Sequence, residues 1–125
     1  MTIEADPLRL QEARDWAHER AIEAGLGEAE CFQVRLAMSE AVTNAIEHGS
    51  HDRTDEIRLE AFVRDGALMF EVSDTGTFVA PLAPSTFEDE DGRGLEVLAI
   101  VMDEVHITAG GDGSILRFAK RLDPR

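Results

Sequence analysis

A change of hydrophobic period near residue 50 constrains this chain more than any other feature. Before it, apolar residues recur every three to four positions; after it they alternate with polar ones. Leu10, Ala13, Trp16, Ala17, Ala21 and Ala24 fall on one helical face, opened by Asp6-Pro7 as an N-cap and first-turn proline and stopped by Gly25. A second helix is predicted over about residues 28–48, with Gly49 as its stop. Then Ile57, Leu59, Ala61 and Val63 alternate with Arg58, Glu60 and Arg64, the pattern of a half-buried strand. Asp65-Gly66 signals a tight hairpin, because both central residues of such a turn need positive φ, and residues 67–73 form the returning strand.

Residues 74–92 have no period and hold Gly76, Pro81, Pro84 and the run Glu88-Asp89-Glu90-Asp91. They read as a long loop, and loops of this length in compact domains are usually functional or disordered. A third helix is predicted over about residues 93–102, and residues 105–108 and 114–122 form a last hairpin around the Gly110-Gly111-Asp112-Gly113 turn. Residues 1–5 offer a short edge strand. The 125 residues suit one domain with one core. Helix, helix, strand, strand, loop, helix, strand, strand predicts an α+β two-layer sandwich, with a mixed, mostly antiparallel sheet and helices on one face.

Charge narrows the partners. With 26 acidic against 12 basic residues the formal charge is −14. Nucleic-acid binding needs Lys and Arg to displace counterions from phosphates, and an anionic membrane surface makes the same demand. Neither partner is expected; a basic protein surface or a metal ion suits the chain better. One cysteine, Cys31, gives no internal disulfide and no cysteine zinc site. No signal peptide or membrane span is recognised, so a cytoplasmic location is expected.

The second helix carries the first chemical signal. With Glu40 at zero on a wheel of about 100° per residue, Asn44 lies at about 40°, Glu47 at about −20° and Gln33 at about 20°. Val34, Met38, Ala41, Val42, Ala45 and Ile46 fill the far side, and Phe32, Leu36 and Ala37 the near flanks. The narrow polar stripe either faces water or lines a pocket. In a pocket, Glu40 accepts a proton and the Asn44 carbonyl ligates Mg²⁺, a hard cation that prefers oxygen. Glu47 reads as a plain solvated residue. His48, at the helix end, is as well explained by the helix dipole as by a ligand role.

Two glycine motifs carry the second signal. Ser73-Asp74-Thr75-Gly76 ends a strand. It is either a turn, or a place where Asp74 accepts a hydrogen bond from a ligand amine while Gly76 lets the backbone come close. Gly92-Arg93-Gly94-Leu95 opens an apolar helix, the setting in which backbone N–H groups meet an anion. It reads equally as a glycine-rich entry turn, and Arg93 as a phosphate ligand or a surface residue. The four carboxylates from Glu88 to Asp91 read as solvated, since beside a phosphate they would repel it.

These motifs, in this order, resemble the GHKL or Bergerat-fold ATPases, and within them the anti-sigma-factor serine/threonine kinases of bacterial partner-switching systems. The stretch from Arg35 to Gly49, with Glu40 and Asn44, resembles the N-box; Ser73 to Gly76 resembles the G1 box; and Gly92 to Leu95 resembles the G2 box closing an ATP lid over about residues 77–92. Val101-Met102-Asp103-Glu104-Val105 is similar to the kinase branch, and Gly113-Ser114 stands where the family usually has Gly-Thr near the adenine. The resemblance implies ATP and Mg²⁺ as cofactors, with Glu40 as general base and Asn44 holding the metal. It implies Asp74, Gly76 and Ser114 at the adenine, and Gly92, Arg93, Gly94 and Leu95 at the phosphates.

The implied partners are an anti-sigma-factor antagonist bearing the acceptor hydroxyl and a sigma factor or equivalent target; a homodimer is compatible with the family. Phe78 replaces the second G1-box glycine common in the superfamily. No phosphoacceptor-histidine helix precedes the domain, which argues against a sensor histidine kinase. A catalytically weak ATP-binding module acting by sequestration is the alternative, and retention of both Glu40 and Asn44 speaks against it. An ATP hydrolase within a larger machine is a further rival, weakened by the short chain.

Overall fold

The computed structural model describes residues 1–49, 55–74, 93–110 and 113–122. The elements are β1 (Thr2–Glu4), a 3₁₀ turn (Pro7–Arg9), α1 (Leu10–Glu23), α2 (Glu28–Asn44) continuing into a π-helical turn (Ala45–Gly49), β2 (Glu56–Arg64), β3 (Ala67–Asp74), α3 (Arg93–Val101), β4 (Glu104–Gly110) and β5 (Gly113–Arg121). Five strands form one sheet in the order β1-β2-β3-β5-β4, and every described pairing is antiparallel. The mostly antiparallel sheet expected from the sequence is thus antiparallel throughout the described strands.

Local signals act as expected, with small shifts. The Asp6 side chain accepts a hydrogen bond from the Leu8 N–H at 3.0 Å, so it does cap, but the chain makes a 3₁₀ turn before α1 begins. Gly25 takes φ +94°, and the Leu26 N–H returns to the Ala21 carbonyl at 3.1 Å, closing the helix end. Asp65 and Gly66 take φ of 54° and 75°, the left-handed pair that a two-residue hairpin demands.

Strand alternation sorts the sheet into two faces. Toward the helices lie the cross-strand rows Leu59–Val72–Leu116–Ile107 and Ala61–Phe70–Phe118–Val105. Phe70 stacks on Phe118 at 5.4 Å between centroids, and Trp16 of α1 meets Phe70 edge-on at 6.0 Å. Such aromatic pairs add about 0.5–1.5 kcal/mol beyond their buried area. The outer face carries Arg58, the row Glu60–Glu71–Arg117–His106, and an Arg117 Nε to Glu71 bond of 2.7 Å. In the helix layer α1 and α3 both pack on α2. Ala13, Ala17 and Ala21, one turn apart and fully buried, let α1 settle close to its neighbours. None of the described helices is long and apolar enough to cross a membrane.

Candidate functional site

On α2 the buried side chains are Cys31, Val34, Ala37, Met38, Ala41 and Val42. They span a helical arc from about 60° at Ala37 to about 200° at Val42, measured from Glu40. Glu40 and Asn44, at 0° and about 40°, stand at the edge of that arc and are half-buried. The open side of the helix is marked by Phe32, 66% exposed, where the sequence had placed a near flank. The polar stripe therefore runs along the shoulder of α2, between core and solvent. Two oxygen-bearing side chains one turn apart can address a common ligand there.

The helix changes hand-hold immediately after Asn44. The predicted continuation to His48 is a wider π turn over Ala45–Gly49, and this turn packs against β3. π turns inside helices frequently mark functional sites, since they re-aim the residues that follow. Here the turn lands the end of α2 against the strand that ends in Asp74. Glu47, on the turn, is exposed.

Asp74 is the last residue of β3 and pairs across the sheet with Ile57 of β2. Ile57 is fully buried and Asp74 is 4% exposed, so this carboxylate lies on the helix-facing side of the sheet. Charged groups are buried only where polar partners receive them. The last β3–β5 couple is Ser73 with Ile115; one step beyond it come Asp74 on one strand and Ser114 on the other. That register brings positions 74 and 114 to the same end of the sheet.

Arg93, Gly94 and Leu95 form the first turn of α3, and α3 packs on α2. Gly76, Gly92 and the lid over about residues 77–92 lie outside the described residues. A depression of about 560 Å³ on the outer face of the sheet is bordered by Arg64, Met69, Arg117 and Arg121, and none of the candidate residues lines it. Cys31 is buried near the start of α2, where burial and then the Glu30 and Glu28 carboxylates push its thiol pKa up. An inert structural thiol fits these surroundings.

Two residues outside the predicted set bear on α3. Lys120 Nζ donates to the Val101 carbonyl at 2.8 Å, and the Arg121 N–H donates to Asp103 Oδ2 at 2.6 Å. A signal for Lys120 was present: it follows Leu116 and Phe118 at period two, which puts a cation on the core face of its strand.

Comparison with known proteins agrees with this fold. The pattern of the histidine kinase-like ATPase domain matches residues 3–120. An anti-sigma F factor from Thermoanaerobacter sp. (strain X514) is 32% identical over 102 residues, spanning 74% of this chain and 71% of that one. The serine-protein kinase RsbW of Bacillus licheniformis is 33% identical over 104 residues, spanning 70% and 65%. Among solved structures, the catalytic domain of histidine kinase ThkA (TM1359) superposes with a TM-score of 0.63 over 100% of this chain and 98% of that one; at 13% identity it speaks for the fold alone. The histidine kinase domain of the Erythrobacter litoralis EL346 blue-light activated kinase, 25% identical, gives a TM-score of 0.61 over 74% of this chain, which spans 45% of that longer one. The match over nearly the whole length, joined to relatives at 32–33% identity, shows that this chain belongs to the histidine kinase-like ATPase family.

Proposed function

We propose that the chain is an ATP-dependent protein kinase acting as an anti-sigma factor in a partner-switching system, with a serine or threonine of an antagonist protein as acceptor. The observation that carries this reading is the placement of Glu40 and Asn44 on one half-buried shoulder of α2, above a sheet whose helix-facing side ends in buried Asp74. The names of the relatives, an anti-sigma F factor and a serine-protein kinase, supply the reaction class.

In this reading Asp74 accepts a hydrogen bond from the adenine amino group, with Gly76 and Ser114 beside the base. The backbone at the start of α3, with Gly92, Arg93, Gly94 and Leu95, receives the phosphates. The donor set suits a hard cation: the Asn44 carboxamide oxygen would hold Mg²⁺, which keeps most of its other ligands from phosphates and water. When bound, the metal supplies charge neutralisation across the phosphates. Glu40 takes the proton from the acceptor hydroxyl as that oxygen attacks the γ-phosphorus of ATP; the bond from that phosphorus to the β–γ bridging oxygen breaks, and ADP leaves with the electron pair. Phosphoryl transfer asks for little more than such positioning and charge stabilisation. A sigma factor or equivalent target is the second partner, and the charge of −14 suits a basic surface on it. The reading also places the protein in the cytoplasm.

The test uses radiolabelled ATP with Mg²⁺ and a candidate antagonist protein. Label is expected on the antagonist with the native chain, and about 10²–10⁴-fold more slowly with Glu40→Gln, while ATP affinity stays close to native. Transfer at the native rate by Glu40→Gln would remove Glu40 from the mechanism. Tight ATP binding with no transfer by the native chain would favour a sequestering module.

A further inference from the structure

α3 packs on α2 and is short. It is nine residues long, about 13 Å. Among its described side chains Leu98 alone is fully buried; Val97 and Val101 are half-buried, and Ile100 is 80% exposed. A short rod anchored, among its described side chains, at Leu98 can swivel about that point. From Leu98 to the start of α3 is five residues, about 7.5 Å, so a swing of about 8° displaces that end by about 1 Å, and misplacements of that size can cost about a hundredfold in a reaction that depends on positioning.

The end of α3 remote from its phosphate-binding turn is tied to the sheet at a second place. The helix runs through a two-residue junction, Met102-Asp103, straight into β4. Met102 is 5% exposed and its N–H closes on the Leu98 carbonyl at 2.9 Å. Asp103 then behaves as an extra rung of the β4–β5 ladder. Its N–H donates to the Ala119 carbonyl at 2.9 Å, and its Oδ2 accepts from the Arg121 N–H at 2.6 Å. Between those two rungs Lys120 turns toward the helix layer and donates to the Val101 carbonyl at 2.8 Å. That carbonyl is one of the last four of α3, which have no partner within the helix, and a cation there also meets the negative end of the helix dipole. Three consecutive residues of β5 thus grip one helix end, Ala119 and Arg121 by backbone bonds to Asp103 and Lys120 by its side chain.

We propose that Asp103 and Lys120 form a clasp that sets the angle of α3, and so are positioning residues for the phosphate-binding turn at its other end. The proposal rests on the nucleotide-binding reading above, with phosphates at the start of α3 and adenine at Asp74. Loosening the clasp lets the phosphate-binding turn wander while the adenine end of the site stays in place.

Those two ends are separable by ligand. The experiment measures the affinities of the full chain for ATP with Mg²⁺ and for adenosine, by calorimetry, in the native protein, Lys120→Met, Lys120→Arg and Asp103→Ala. Lys120→Met is expected to weaken ATP about tenfold or more and to leave adenosine within about twofold. Asp103→Ala is expected to move in the same direction, and Lys120→Arg, which keeps a donor of the same charge, to restore most of the loss. A role confined to stability would weaken both ligands in proportion to the unfolded fraction and leave their ratio fixed, which would overturn the clasp. Should Lys120→Met not fold, the exposed Asp103→Ala carries the same test. A native protein that binds ATP no better than adenosine would instead refute the phosphate site, before the clasp is tried at all.

Discussion

The two helices assigned to the nucleotide are held in opposite ways. α2 carries Glu40 and Asn44 and buries six side chains along its length, from Cys31 to Val42. α3, assigned to the phosphates, has Leu98 as its one fully buried described side chain and is clasped at its far end. The contrast assigns each helix a task. In the proposed mechanism a base and a metal-holding amide must be in place before the reaction, and α2 would give them a fixed platform. In the same proposal a phosphate grip has to admit and release a nucleotide, and a helix with a single fully buried side chain among those described would open at lower free energy than the core does.

The comparison breaks most visibly through the core. Met38 of α2 is fully buried. Met38→Ala is expected to cost about 2–5 kcal/mol of global stability, seen as a lower urea midpoint with an unchanged slope. Stability within about 0.5 kcal/mol of native would show that α2 is not the platform described. Leu98 is buried just as fully on α3. Leu98→Ala is expected to cost about 2 kcal/mol or less in the same measurement, because α3 can detach locally and relieve the cavity. Equal losses at the two sites would erase the distinction. Hydrogen exchange sharpens it without mutation: amides of α3 should exchange through local opening, ahead of those in the middle of α2.

The smallest effect belongs to the surface. Arg35 on α2 donates to Asp15 Oδ1 on α1 at 3.1 Å, and that hydrogen bond, followed by one from Gln11, holds the Asp15 carboxyl below its ordinary pKa. A depressed carboxylate stabilises the fold above the unfolded pKa and loses that contribution as pH falls through the folded value. The pair is therefore intact at neutral pH and weakened in acid. Asp15→Asn should lower the neutral side of a stability profile slightly and converge with the native protein in acid, where the native carboxyl is protonated; a loss that persists in full at low pH would show that Asp15 does more than pair with Arg35 and Gln11.

Much of this was legible in the sequence, for identifiable reasons. The switch from helical to alternating period fixes the two layers, and the need for positive φ at Asp65-Gly66 fixes the β2–β3 hairpin and hence its register. The polar stripe of Glu40 and Asn44 shows on a wheel because its neighbours are apolar. A wheel of constant pitch, however, cannot show the π turn at Ala45–Gly49, which packs on β3. Nor could it show Phe32 turned to solvent, because an aromatic residue in an apolar surround reads as core. The Lys120 and Asp103 clasp joins the end of a helix to a strand beyond the next hairpin. No local rule links such positions, and only the cation at a core-facing strand position hinted at it. Of the candidate residues, those on α2, β3, α3 and β5 have a place in the fold, while Gly76, Gly92 and the lid lie outside the described residues.

The outer face of the sheet has a consequence for how this molecule can diversify. Its row Glu60–Glu71–Arg117–His106 sits back to back, through single strands, with the aromatic and aliphatic rows that hold the helices. Substitutions at those outward positions recolour a whole flank of the molecule while the residues one step along each strand go on packing as before. Lineages can therefore change the charge of that flank and inherit the packing on the other side unchanged.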